Sequence, residues 1–129
     1  MKAIFFGAAL CTFALAGAAL AAGVPSYVAK AVADPSRPAT DSSRDALRLP
    51  GETLAFAGVK PGMVVAELFP AGGYYTRMIS DVVGPKGKVF GIENAKWDKG
   101  EDAKMAAEPG HGNVQVQLGK FGEFTLPQK

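Results

Sequence analysis

Glu67, the pair Gly72-Gly73 and Glu93 are the residues of this chain whose types and spacing could do chemistry. Glu67 ends the apolar run Val64-Val65-Ala66, and the chain then passes through Leu68-Phe69-Pro70-Ala71 to the two glycines before Tyr74-Tyr75-Thr76 opens a helical pattern. Lacking side chains, Gly72 and Gly73 let the backbone come close to a ligand and offer it N–H groups. Glu93 follows Gly73 by 20 residues, the separation at which an acid commonly accepts hydrogen bonds from ribose hydroxyls. The implied chemistry is recognition of a nucleotide-like ligand at the carboxyl edge of a parallel sheet. Without the leader described below, the chain has one histidine and no cysteine, which excludes Ser/His/Asp and Cys/His triads. His111, set between Pro109-Gly110 and Gly112-Asn113, reads as a solvent-facing loop residue with no second ligand for a metal. No residue can be named as a catalytic base.

The elements that must position these residues follow from hydrophobic period. Met63 to Phe69 is apolar except for Glu67, the pattern of a strand covered on both faces. Tyr75, Met78, Ile79 and Val82 recur at i, i+3, i+4 and i+7, which predicts a helix ending at Gly84-Pro85 with Thr76, Arg77, Ser80 and Asp81 on its other face. Lys88 to Glu93 is a second strand, parallel to the first through a βαβ crossover. Trp97 to Ala107 can be helical, with Lys96 to Lys104, including Glu101 and Asp102, a solvated mixed-charge face; Asn113 to Leu118 alternates as a third strand. Upstream, Thr40 to Ser43 supply N-cap candidates for a short helix through Arg48, and a second short helix spans Gly51 to Ala57 with Gly58 as its cap. Of the two tyrosines, one is expected in the core. Arg44, Asp45 and Arg48 read as a surface ion pair.

Composition bounds the rest. The 129 residues make one domain at most, with 48% hydrophobic and 20% charged content. Lys2, an apolar run from Ala3 through Leu20 and Ala19-Leu20-Ala21 form a secretory leader over residues 1–21, cleaved near Ala21 or Ala22. Residues 22–40 are expected to be an extended arm, because Pro35 and Pro38 exclude a regular helix, and residues 41–129 an α/β domain. Without the leader the charges are 13 basic against 12 acidic, so nothing in the charge points to nucleic acid or an anionic membrane. The expected location is periplasmic or secreted, with no stable anchor after cleavage.

At these residues the chain resembles class I S-adenosylmethionine-dependent methyltransferases, and within them an exported group. The resemblance lies in Gly58-Val59-Lys60-Pro61-Gly62-Met63, in Glu67 through Arg77, and in Gly84-Pro85-Lys86-Gly87-Lys88-Val89-Phe90. It implies S-adenosyl-L-methionine as cofactor, methyl transfer to an unspecified acceptor, and a partial Rossmann-like fold of about three parallel strands with flanking helices. By the same likeness Glu67 and the Gly72-Gly73 backbone hold the methionine part and Glu93 the ribose, while the loop from Gly119 to Glu123 borders the adenine. Phe69, Ala71 and Tyr74 count with them as cofactor-binding residues. In the family's acid-x-Gly-x-Gly-x-Gly pattern, Phe69 and Ala71 occupy the first two glycine positions. A complete domain of this type has about seven strands, so the chain reads as its N-terminal half, with one edge of the first strand unpaired. The second expectation is therefore a non-catalytic module that completes its sheet on a partner chain, including a second copy of itself.

Overall fold

The structure is a computed structural model that describes residues 23–120, 122 and 123. The expected leader over residues 1–21 lies outside the described residues, as do Phe121 and the chain from Phe124 onward. The elements run α1 (Ser26–Val32), α2 (Ala39–Ser42), α3 (Asp45–Arg48), α4 (Pro50–Phe56), β1 (Val64–Leu68), α5 (Tyr74–Val83), β2 (Lys88–Asn94), α6 (Glu101–Ala106) and β3 (Val114–Gly119). The expected α/β class, the three strands and their parallel pairing are all present. The sheet order is β1-β2-β3, with Val64 opposite Lys88 and Val89 opposite Val114.

The middle position belongs to β2, and burial follows from it. Val89, Phe90, Gly91, Ile92 and Glu93 are all buried, as befits a strand hydrogen-bonded on both sides and covered on both faces. The expectation of double cover for the first strand is corrected: β1 alternates between exposed and half-buried residues, with Val64 58% and Leu68 60% exposed. Among the described residues its outer edge has no strand partner.

The main core lies between α5 and its neighbours. Met78, Ile79, Val82 and Val83 of α5 pack with Val28 and Ala31 of α1, Leu54 of α4, Val59 and Val89. The region expected as an extended arm therefore contains a helix. Its two buried residues, Val28 and Ala31, stand three apart on one face, and burial against α5 and α4 stabilises a short helix that propensity alone would leave marginal. The prolines bound it instead of preventing it: Pro25 precedes α1 and Pro38 precedes α2. The Thr40–Ser43 hydroxyls cap nothing, since Thr40, Asp41 and Ser42 lie within α2 and no side chain caps α2 or α3.

Most of the polar face of α5 is buried too, Asp81 excepted. Thr76, Arg77 and Ser80 are 0%, 7% and 2% exposed. Ser80 Oγ donates to Asn113 Oδ1 at 2.5 Å, and the Asn113 amide donates to the carbonyls of Ser80 and Gly84. His111, expected in solvent, is 6% exposed, with Nδ1 3.1 Å from Ser80 Oγ. The physical reason is satisfaction: polar groups can leave water when partners wait for them, and here Glu67 of β1 serves Thr76, Asp41 and Glu108 serve Arg77, and Asn113 serves Ser80. Arg44, Asp45 and Arg48 form no mutual pair. Asp45 instead takes a two-pronged bond from Arg37, and Arg44 pairs with Asp41. Among the described residues no helix is long and apolar enough to cross a membrane.

Candidate functional site

At the carboxyl end of β1 the chain turns through residues 69–73 with an unusual run of left-handed backbone. Phe69 has φ 63°, Ala71 φ 47°, Gly72 φ 84° and Gly73 φ 88°. Non-glycine residues avoid this region because Cβ crowds the backbone, at a cost of about 1–2 kcal/mol each. Phe69 and Ala71 thus adopt a glycine-type conformation without being glycine. The turn is held in place by the Phe69 N–H on the Ile92 carbonyl and the Gly73 N–H on the Pro70 carbonyl, both at 2.9 Å. Strain that persists because the surroundings enforce it is characteristic of ligand-binding turns.

Beside this turn, between it and the chain leaving β2, lies a cleft of about 290 Å³, near the lower bound of small-molecule sites at about 300 Å³. Phe69, Ala71, Gly72 and Glu93 line it, together with residues 97–99, Glu101 and Asp102. The Phe69 and Trp97 rings stack with centroids 5.8 Å apart. Glu93 is 5% exposed and takes the Asn94 N–H on Oε1. A larger cleft of about 490 Å³ lies by Ser80, Lys88 and Asn113. It sits where β2 begins, whereas ligands of open parallel sheets bind beyond the carboxyl ends of strands, so the turn-side cleft is the candidate.

The remaining expected residues stand behind it. Gly73 is buried, and a Cβ there would come 2.4 Å from Met105 Cγ. Tyr74 is not among the residues that line the cleft. Its hydroxyl donates to Asp45 at 2.6 Å and its ring lies under the Arg44 and Arg48 guanidiniums at 4.9 and 4.5 Å. Burial and then the Asp45 carboxylate push its hydroxyl up to about 12. None of the described residues from 119 to 123 lines the cleft.

Glu67 also stands back from the cleft lining, where it accepts the Thr76 hydroxyl on Oε2 at 2.6 Å. Burial pushes its carboxyl up to about 7; the Thr76 bond opposes this and the Asp102 charge adds to it. A raised acid binds its proton more tightly when folded, so its stabilising contribution is complete below about pH 4.5 and disappears as pH rises through about 7. Glu67→Gln is therefore expected to be near neutral at about pH 4.5 and to stabilise the fold by about 2 kcal/mol at about pH 8. Thermal denaturation at the two pH values checks this, and equal effects at both would contradict it.

Asp102 escaped sequence reasoning, which placed it on a solvated face. It is 1% exposed, and its Oδ1 accepts the Gly72 N–H at 2.7 Å, tying α6 to the glycine turn across 30 residues. Its other oxygen, Oδ2, is buried with no hydrogen-bond partner among the described residues. Burial raises its proton affinity, the Gly72 bond lowers it, and Glu93, Asp98 and Glu101 raise it further. The signal available in the sequence was positional: Gly100-Glu101-Asp102 starts a helix directly after the loop leaving β2, at the sheet's ligand-binding edge. Among the described residues no group of three or more His, Cys, Asp or Glu side chains could hold a metal ion.

No family model matches the chain, and no curated protein matches it. Several solved structures resemble it, two of them as follows. A SAM-dependent methyltransferase from Aquifex aeolicus is 28% identical with a TM-score of 0.56, over 78% of this chain and 50% of that one. A protein-L-isoaspartate O-methyltransferase is 23% identical with a TM-score of 0.54, over 74% of this chain and 38% of that one. The chain spans half the length of the first neighbour and less of the second. Its three parallel strands with flanking helices are the corresponding part of a Rossmann-like methyltransferase fold.

Proposed function

We propose that the chain binds S-adenosyl-L-methionine in the cleft between the 69–73 turn and the 97–102 segment, and serves methyl transfer to an acceptor not yet known. The observation that carries this reading is the turn itself. Phe69 and Ala71 stand where the family has glycines, yet both keep positive φ, and Glu93 lies across the same cleft at the end of the adjacent strand. Of the three glycines in that pattern the chain has the last, Gly73, and φ is positive at all three positions.

The residues present fit that cofactor. The cleft offers carboxylate acceptors for ribose hydroxyls and an ammonium, with the Phe69–Trp97 stack as an apolar wall, and the buried Asp102 Oδ2 has its acceptor capacity unused. Glu93 would take the ribose hydroxyls and the turn backbone the methionine part, with Glu67 supporting the turn from behind. The bound cofactor supplies an activated methyl group on a sulfonium; the chain's part is to bind and orient it, because this chemistry is mostly positioning.

Calorimetric titration of the purified chain with S-adenosyl-L-methionine tests the proposal. Saturable heat is expected, with Glu93→Ala weakening binding at least about tenfold, the cost of a lost charge-assisted hydrogen bond. A folded chain that gives no heat would contradict it.

Export remains part of the proposal, on the strength of the leader pattern at residues 1–21. A second reading, a module that completes its sheet on another chain, is favoured by one observation: Val64 and Leu68 of β1 are 58% and 60% exposed, and Met63 just before it 42%.

A further inference from the structure

The cleft carries an imbalance of charge that adenosyl recognition alone does not require. Glu93, Asp98, Glu101 and Asp102 all line it, against Lys99 as the single base. None of the four acids has an ion-pair partner among the described residues, and Lys99 pairs with none of them. The backbone meets part of their demand, since Glu93 holds the Asn94 N–H and Asp102 the Gly72 N–H. Asp102 Oδ2, on a buried side chain that lines the cleft, has no hydrogen-bond partner among the described residues. Carboxylates brought together away from water without a cation are costly. The arrangement costs least when a positive charge enters with the ligand.

Resting on the reading of the cleft as an adenosyl site, we propose that it discriminates by charge, holding the cationic sulfonium donor more tightly than the neutral thioether left after methyl transfer. The two species share adenine, ribose and amino-acid parts and differ by one methyl group and one positive charge. The methyl contributes a small apolar contact, while the charge interacts with all four acids at once. Glu93 and Asp102 are fixed and buried, so they supply the constant part of the field; Asp98 and Glu101, nearer solvent, supply the screened part. The consequence is directional: loss of the methyl group removes the sulfonium charge and leaves only the amino-acid ammonium before the acids, so the spent product is held less tightly than the donor.

Calorimetry on the full chain with three ligands tests this: S-adenosylmethionine, S-adenosylhomocysteine, and sinefungin, which carries an ammonium-bearing carbon in place of the sulfonium. At about 0.02 M salt both cationic ligands are expected to bind about tenfold more tightly than the thioether, and at about 0.5 M salt that ratio shrinks. Asp98→Asn and Glu101→Gln make the decisive variants, because among the described residues neither side chain makes a hydrogen bond or ion pair that holds the fold together. Each should reduce the ratio by weakening the cationic ligands more than the thioether, which keeps its amino-acid ammonium. Equal binding of all three ligands, a thioether preference at low salt, or a ratio indifferent to both substitutions overturns charge discrimination and leaves the adenosyl site standing. Absence of binding by all three to a folded chain overturns both.

Discussion

Gly73→Ala should lower the melting temperature by about 10–20 °C, the shift expected when a domain of this size loses about 2–4 kcal/mol. Two costs combine. At φ 88° any Cβ is strained, at about 1–2 kcal/mol. The added carbon would also stand 2.4 Å from Met105 Cγ and 3.1 Å from its Sδ. Met105 is 1% exposed in α6, so its side chain cannot swing aside without displacing the helix that carries Asp102, and overpacking a filled site costs about 1–3 kcal/mol. Gly72→Ala is the internal comparison. Its φ is 84°, but the nearest atom to its Cβ would be Glu101 Oε2 at an ordinary 3.8 Å, so it should lose only the backbone term. Circular dichroism melts of the two variants check the difference, and equal losses would show that α6 does not clamp the turn.

Arg77→Met should be nearly as damaging, at about 3 kcal/mol. The Arg77 guanidinium donates to both Glu108 oxygens at 2.8 and 2.6 Å, to Asp41 at 3.1 Å and to the Gly72 carbonyl at 2.9 Å. One buried side chain thereby joins α2, α5, the end of α6 and the glycine turn. Breaking a buried pair by removing one partner typically costs about 3–5 kcal/mol, because the other charge is stranded. The lower figure is expected here because Asp41 keeps Arg44 at 2.6 Å and the Glu108 side chain is 39% exposed. The loss has a pH signature. The Arg77 bond holds the Glu108 carboxyl below its ordinary value, so this contribution is present above about pH 4.5 and lost as pH falls through the depressed folded value. Urea melts of wild type and Arg77→Met should therefore lie far apart at about pH 7 and draw together below about pH 4. A constant gap would assign the loss to packing alone.

What the sequence made legible was what local pattern controls. The stripe of Met78, Ile79 and Val82 placed α5, Gly58 and Gly84 marked helix ends, and the apolar runs closing on Glu67 and Glu93 placed two parallel strands with acids toward their carboxyl ends. The chain hid what depends on partners distant in sequence. Thr76, Arg77 and Ser80 look like a solvent face until Glu67, Glu108 and Asn113 arrive to satisfy them. Asp102 looks like one charge in a mixed run until Gly72 takes its Oδ1. The short α1 had no amphipathic repeat long enough to announce it, and tertiary burial of Val28 and Ala31 decides it. At the turn the letters misled in the other direction. Phe69 and Ala71 read as departures from a glycine pattern, yet both take the positive φ that glycine favours.

The central claim is that the strained turn and the acid on the neighbouring strand form one adenosyl-binding cleft. An amide NMR titration of the chain with S-adenosyl-L-methionine tests it most directly, because it reports where the ligand sits whether or not methyl transfer occurs. The account predicts saturable shifts at Gly72, Gly73, Glu93, Asn94 and Asp102. Shifts gathered instead around Ser80, Lys88 and Asn113, or none anywhere in a folded chain, would contradict it.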